Sequence, residues 1–168
     1  ELVSEGPLDI DNSLLTDAYN VLSSEKNTML FIGGDCLDEE SVTLAGKIAT
    51  KTGCRLATDT FVIRHRRGTG LTKVEPIPYF AEMAEEHLRG VESIVFIGTK
   101  PPVSFFAYPG KKSYLSPENA ELIELATPYQ DGKSALYQLS EMLKTDKIDK
   151  SLIPNGIIDA PSNGELNA

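Results

Sequence analysis

Glycine, arginine and aromatic residues fall in three tight groups along this chain, and each group has a chemistry it could serve. The first is Gly33-Gly34, which directly follows the apolar run Thr28-Met29-Leu30-Phe31-Ile32. A glycine turn between a strand and a helix is where α/β proteins hold a nucleotide pyrophosphate, because the helix amides and dipole favour an anion there. The spacing here is not G-x-G-x-x-G, and Asp35, Asp38, Glu39 and Glu40 crowd the place a phosphate would take. At contact range each like charge opposes an anion by about 1 kcal/mol or more near a surface. The alternative reading is a tight turn leading into a well-capped helix.

The second group is Arg64-His65-Arg66-Arg67, the densest positive run. Clustered guanidinium forks suit a phosphate or a carboxylate. Without interleaved aromatics or a wider basic face, the run is a poor nucleic-acid site, and a solvated loop or a domain contact is its plainer role. Gly33, Gly34, Arg64, Arg66 and Arg67 together are the candidate frame for an adenine nucleotide. The third group is the proline- and aromatic-rich stretch 99–110, with Thr99, Lys100, Phe105, Phe106 and Tyr108. So many rings in one loop expose much apolar area unless something covers them. They either close one end of the domain's own core or form a docking surface for a ligand or another domain. Both readings stay open here.

Other constellations carry less. Cys36, Cys54, His65 and His87 have no zinc-ligand spacing. No G-x-S-x-G nucleophile elbow occurs. Gly132-Lys133-Ser134 mimics the end of a P-loop, but Ala126, Thr127 and Pro128 stand where its first glycine is required. The stripe Ala135, Leu136, Leu139, Met142 and Leu143 reads instead as an ordinary helix.

These groups are positioned by an alternating pattern of elements. Ser13 is expected to cap a helix over residues 14–22, followed by the apolar strand at 28–32. Asp38 caps the next helix, with Glu39 and Glu40 in its first turn and Gly53 as its stop. A second strand is predicted at 55–61, an irregular segment at 62–78, a short helix at 79–88 and a third strand at 92–98. A fourth strand follows at 121–125, and Asp131-Gly132 opens a last helix over 133–143. Continuous apolar strands alternating with helices argue for a parallel sheet covered on both faces. The expected fold is therefore α/β, a three-layer α/β/α sandwich with right-handed crossovers, Rossmann-like and of the DHS-like nucleotide-binding-domain type.

Bulk properties narrow the class. The chain has 168 residues, 40% hydrophobic and 24% charged, which suits one globular domain. A formal net charge of −9 opposes nonspecific binding to nucleic acid or to an anionic membrane. Cys36 and Cys54 each sit beside an apolar run and are expected to be buried and reduced. No secretory segment opens the chain and no run approaches a membrane span, so the expected compartment is the cytoplasm. Glu1 at the start and the polar stretch 155–166 at the end read as cuts through linkers. The organisation expected is a linker at 1–12, a central α/β domain at 13–145, and a linker at 146–168 leading toward a missing cofactor-binding domain.

The run Phe96-Ile97-Gly98-Thr99-Lys100-Pro101-Pro102-Val103-Ser104-Phe105-Phe106-Ala107-Tyr108-Pro109-Gly110 resembles the central domain of thiamine-diphosphate enzymes of the acetolactate synthase and benzoylformate decarboxylase group. Met29 to Gly34 is similar to that family's first strand and glycine turn. Ala45-Gly46-Lys47-Ile48-Ala49 with Thr52-Gly53-Cys54 is similar to its helix and next strand entry. Pro154-Asn155-Gly156 and Gly164-Glu165-Leu166-Asn167-Ala168 resemble the linker into the cofactor-binding domain. The resemblance implies a parent of three α/β domains, dimeric or tetrameric, using thiamine diphosphate and Mg²⁺ on a 2-keto acid. It implies that the activating glutamate and the G-D-G…N diphosphate signature belong to the flanking domains; no Gly-Asp-Gly occurs in this chain. It therefore implies no catalytic residue and no metal ligand here, and an interdomain or active-site-facing role for Thr99, Lys100, Phe105, Phe106 and Tyr108. Flavin-binding members carry an Arg-Phe-Asp-Asp-Arg-like segment where Lys100-Pro101-Pro102-Val103-Ser104 stands, which argues against FAD. The loop is nearer the benzoylformate decarboxylase type. With no histidine after His87, the active-site histidine of that type has no counterpart. The alternative function is a module of the same fold that binds FAD, ADP or NAD.

Overall fold

The computed structural model describes residues 9–106, 109–110, 112–149 and 153. Five strands, β1 (Thr28–Ile32), β2 (Arg55–Thr58), β3 (Glu75–Pro76), β4 (Ser93–Ile97) and β5 (Glu121–Ala126), form one sheet. All pairings are parallel, in the order β3-β2-β1-β4-β5. Every residue of β1 and β4 is buried, as expected for strands covered on both faces. Among the described residues four α-helices accompany the sheet: α1 (Asn12–Leu22), α2 (Glu39–Thr52), α3 (Ala81–His87) and α4 (Gly132–Met142). A 3-10 turn at Gly34–Leu37 lies between β1 and α2.

The strand period of two splits the core. Leu30 and Ile32 of β1 join Ala18, Ala45, Leu136 and Leu139 under α1, α2 and α4. Met29 and Phe31 face the other way and join Ile94, Phe96, Ala84 and Leu88 under α3. This is the expected three-layer α/β/α architecture. One face is covered by three helices. The other has one seven-residue helix and the inward-facing Leu115 of the long loop.

Local chemistry sets the helix ends. Asp38 accepts from the Ser41 amide at 2.8 Å and Asp131 from the Ser134 amide at 2.9 Å, both as N-caps. Gly53 ends α2 in the left-handed region at φ +76°. Three expected boundaries move by more than one residue. The cap of α1 is Asp11 rather than Ser13, because Asp11 Oδ1 takes both the Ser13 amide at 2.8 Å and the Ser13 hydroxyl at 2.7 Å. The second strand stops at Thr58 rather than at residue 61, where its edge partner β3 runs out at Pro76, which has no N–H to donate. Tyr79 and Phe80 stay outside α3, with Phe80 extended as its N-cap.

Cys36 and Cys54 are both free and buried, as expected. Burial first, then neighbouring Asp35, pushes the Cys36 thiol up to about 12. Burial pushes Cys54 to about 11. Neither is a nucleophile at neutral pH. No helix among the described residues is long and apolar enough to cross a membrane.

Candidate functional site

In parallel α/β sheets, ligands gather outside the carboxyl ends of the strands, where the connections reverse direction. That point here lies between β1 and β4, so Gly33-Gly34 and Gly98-Thr99 face each other. The two strand ends are in contact. The Gly33 amide donates to the Ile97 carbonyl at 2.9 Å. A Cβ on Gly33 would stand 2.6 Å from Thr99 Cβ, and one on Gly98 would stand 2.6 Å from the Gly33 carbonyl oxygen. The glycines let backbone approach backbone, and beside them Gly34, Asp35, Gly98, Asp131 and Lys133 line a hollow of about 330 Å³ that holds two carboxylates.

The nearby helix start is capped by a carboxylate as well. Asp38 accepts from the Ser41 amide, one of those a phosphate would use at the start of α2, and Lys133 pairs with its carboxylate. Partial burial works to raise Asp38, but the Lys133 ammonium and the Ser41 amide outweigh it and hold the carboxyl below the usual range. Asp38 is thus an ion-paired cap, and Lys133 is its partner at the start of a plain helix.

Arg64, Arg66 and Arg67 are exposed on the segment after β2, without an ion pair among the described residues. The Arg66 amide donates to the Leu37 carbonyl at 2.8 Å, which ties the basic run to the 3-10 turn. Arg64 lines a hollow with Gly34 and two carboxylates, Asp35 and Asp59. Two like charges in that hollow oppose the anion that the arginines would attract. His65 is pushed down, by burial first and then by Arg67, and its Nε2 has no hydrogen-bond partner among the described residues.

A second hollow of about 410 Å³ opens at the ends of β2, β3 and β4, lined by Asp59, Phe61, Tyr79, Thr99, Lys100 and Phe105 among others. Thr99 is buried and its hydroxyl donates to Asp59 Oδ2 at 2.5 Å. Lys100 Nζ lies 5.9 Å from the Tyr129 ring centre, within reach of a cation–π contact. The long loop is braced on itself: Ser104 and Leu115 amides donate to the Ser113 and Pro102 carbonyls, at 2.7 and 3.1 Å. Phe105 and Phe106 contact at 4.9 Å between ring centres. They meet Tyr79 at 5.7 and 6.0 Å, and Phe105 meets Phe61 at 5.3 Å. Tyr108 lies outside the described residues. Phe61, Tyr79 and Phe80 had no signal in the sequence that joined them to the loop. Asp59 did have one, as a carboxylate at the carboxyl end of an apolar strand.

Burial raises the Asp59 carboxyl, with the Thr99 hydrogen bond pulling the other way. The folded state therefore holds this proton more tightly than the unfolded chain. That contribution to stability is complete below the ordinary carboxylate range and is lost as pH rises through the raised value. Asp59→Asn, which keeps an acceptor for Thr99 and cannot ionise, is expected to raise Tm by roughly 1–3 °C at neutral pH. In thermal unfolding at acid pH, below the ordinary carboxylate range, the gain should disappear. An equal gain at every pH would mean that packing, not charge, is responsible.

No protein-family model matches the chain. Over 108 residues it is 44% identical to IlvX of Mycobacterium tuberculosis, named as an acetolactate synthase large subunit, covering 64% of this chain and 21% of that protein. All of this chain superposes on one third, 33%, of the Rhodococcus jostii RHA1 thiamine diphosphate-dependent 4-hydroxybenzoylformate decarboxylase, with TM-score 0.65 and 18% identity. The chain resembles a domain of thiamine-diphosphate-dependent enzymes. A thiamin diphosphate-dependent enzyme from Mycobacterium smegmatis agrees, with TM-score 0.63 and 17% identity over 94% of this chain and 32% of that one. The chain thus spans about a fifth to a third of the proteins it matches. No group of three or more His, Cys, Asp or Glu side chains among the described residues is arranged to hold a metal ion. The described residues thus offer no carboxylate cluster of the kind Mg²⁺ takes.

Proposed function

We propose that this chain is the central, linking domain of an acetolactate-synthase-like enzyme that uses thiamine diphosphate on 2-keto acids, and that it does no catalysis alone. The observation that carries this reading is the superposition of the whole chain on one third of a decarboxylase, together with the 44% identity to an acetolactate-synthase-named protein. The cofactor and Mg²⁺ would be held by the flanking domains and would supply the chemistry there. Residues 13–145 form the linking unit, with 1–12 and 146–168 leading to its neighbours. Thr99, Lys100, Phe105, Phe106 and Tyr108 face another part of the assembled, homodimeric or homotetrameric, cytoplasmic enzyme. The closed Gly33–Gly98 contact and the carboxylates beside it support a role without bound flavin.

The source reading frame tests this directly. The expected frame continues at both ends, with a glutamate-bearing domain before and a G-D-G…N segment after. A frame confined to these residues would overturn the reading. Thermal shift of the purified chain with thiamine diphosphate and Mg²⁺, FAD, ADP, NAD or coenzyme A is expected to show no rise. A ligand at a hundred times its Kd adds about 2.7 kcal/mol, or roughly 5–10 °C in a chain of this size. Such a rise with one nucleotide would make the chain a binding module instead.

A further inference from the structure

We propose that residues 154–159 of this chain lie in a groove beside α2, far from the aromatic loop, with Ile157 on its apolar floor. The path of the chain after α4 leads there. Lys144 turns it in the left-handed region at φ +55°, and a 3-10 turn at Thr145–Lys147 follows, against α2. Thr145 is fully buried, its hydroxyl 2.5 Å from that of Ser140 on α4. Ile153 is only 5% exposed although it lies well past the end of α4. Its seat is Gly46 of α2. A Cβ on Gly46 would collide with Thr72 Oγ1 and stand 2.7 Å from Ile153 Cγ2. Ile153 and Thr72 therefore sit side by side on the bare backbone of the helix.

From Thr72 a groove of about 470 Å³ opens toward the end of α2. Ala49, Cys54 and Leu56 give it apolar walls, and Arg55, Lys73 and Glu75 supply its charges. Thr72 is 7% exposed, and its hydroxyl has no hydrogen-bond partner among the described residues. A buried hydroxyl left unpaired is costly. The first acceptors after Ile153 are the Pro154 carbonyl and the Asn155 side chain. In an extended segment alternate residues share a face, so Asn155, Ile157 and Asp159 follow Ile153 inward. That order suits the groove: a polar group beside Thr72, an isoleucine on Cys54 and Leu56, then a carboxylate near Arg55 and Lys73. Reach suffices, because four extended residues cover about 13 Å, while α2 from Gly46 to Thr52 covers about 9 Å. Charge agrees. Residues 154–168 hold Asp159 and Glu165 and no lysine or arginine, and the groove has two cations against one carboxylate. Any other occupant competes with a segment tethered at the groove's mouth, at an effective concentration of about millimolar.

Cys54 lets the contact be read in the full 168-residue chain. Ile157→Cys, treated with glutathione disulfide under native conditions, is expected to bond to Cys54, seen as a linked peptide by mass spectrometry. The bond requires Cα atoms within about 7 Å. Ile158→Cys, on the opposite side, and Leu166→Cys, beyond the groove, should close about tenfold more slowly or not at all. Cys36 lies past the carboxyl end of β1, whereas Cys54 precedes β2, so linkage to Cys36 counts against the placement. In thermal unfolding, Ile157→Asp is expected to lower Tm by roughly 4–10 °C. Ile158→Asp should move it by no more than about 2 °C. Equal closure at the three positions, closure at none, or equal Tm for the two aspartate variants overturns the placement, and the groove then belongs to something other than this segment. None of these outcomes bears on the linking-domain reading, which the source reading frame decides.

Discussion

Gly98→Ala is expected to lower the unfolding free energy by about 2–5 kcal/mol, out of the 5–15 kcal/mol typical of a domain. Two costs combine at this position. Gly98 has φ +70°, a left-handed conformation that costs a side-chain-bearing residue about 1–2 kcal/mol. The new Cβ would also stand 2.6 Å from the Gly33 carbonyl oxygen. That atom is backbone, at the end of a buried strand, and cannot swing aside. Forced overpacking of this kind typically costs about 1–3 kcal/mol. Gly53 separates the two costs: its φ is +76°, yet nothing lies within 4 Å of an added Cβ. Gly53→Ala should therefore lose only about 1–2 kcal/mol. Urea unfolding of both variants measures the difference. If the two midpoints fall together, the approach of β1 to β4 is not what requires glycine at 98.

Phe96→Ala is expected to cost about 3–5 kcal/mol, the range for emptying a buried ring site. Phe96 is fully buried and its ring centre lies 5.3 Å from that of Phe31. Together they fill the thinner face of the sheet, where one short helix is the only regular cover among the described residues. Loss of one ring leaves the other without its largest neighbour, and the central strands β1 and β4 hold the backbone too firmly to close the gap. Phe105→Ala makes the comparison, since a ring 63% exposed should change monomer stability by no more than about 0.5 kcal/mol. The denaturant midpoint, measured at a concentration where the chain is monomeric, ranks the pair. Equal losses would place Phe105 in the core and would remove the exposed patch from consideration.

Where structure follows from neighbours in sequence, the residues announce it. The apolar run at 28–32 is β1 without change, Asp38 and Asp131 cap the helices they precede, and Gly53 stops α2. Strand β3 was not legible, because Glu75–Pro76 is too short to show a period and contains the residue least expected in a sheet. The candidate site divides the same way. The glycine turn and the long loop stand out as local composition. The meeting of Phe61, Tyr79 and Phe105, and the Thr99–Asp59 hydrogen bond across 40 positions, come from the order of strands in the sheet. Composition alone also could not tell whether Gly33-Gly34 frames a phosphate or admits a neighbouring backbone. The close approach comes from Gly98, one residue past β4, which the order of strands sets beside the turn.

The position of β1 at the centre of the sheet has a consequence for the order of events as the chain is made. β1 finds β2 early, but its other neighbour, β4, begins at Ser93, and the first helix is fastened by groups still further on. Lys26 pairs with Glu121, and the carbonyl of Asp9 accepts from Gln130 across 121 positions. Ribosomes add about 5–20 residues per second. For several seconds the most apolar strand of the molecule is therefore present without its main partner, and neither core layer can close. Folding is a late, nearly all-at-once event for such a chain, and the nascent Met29-Leu30-Phe31-Ile32 run is the segment most in need of a chaperone's shelter until then.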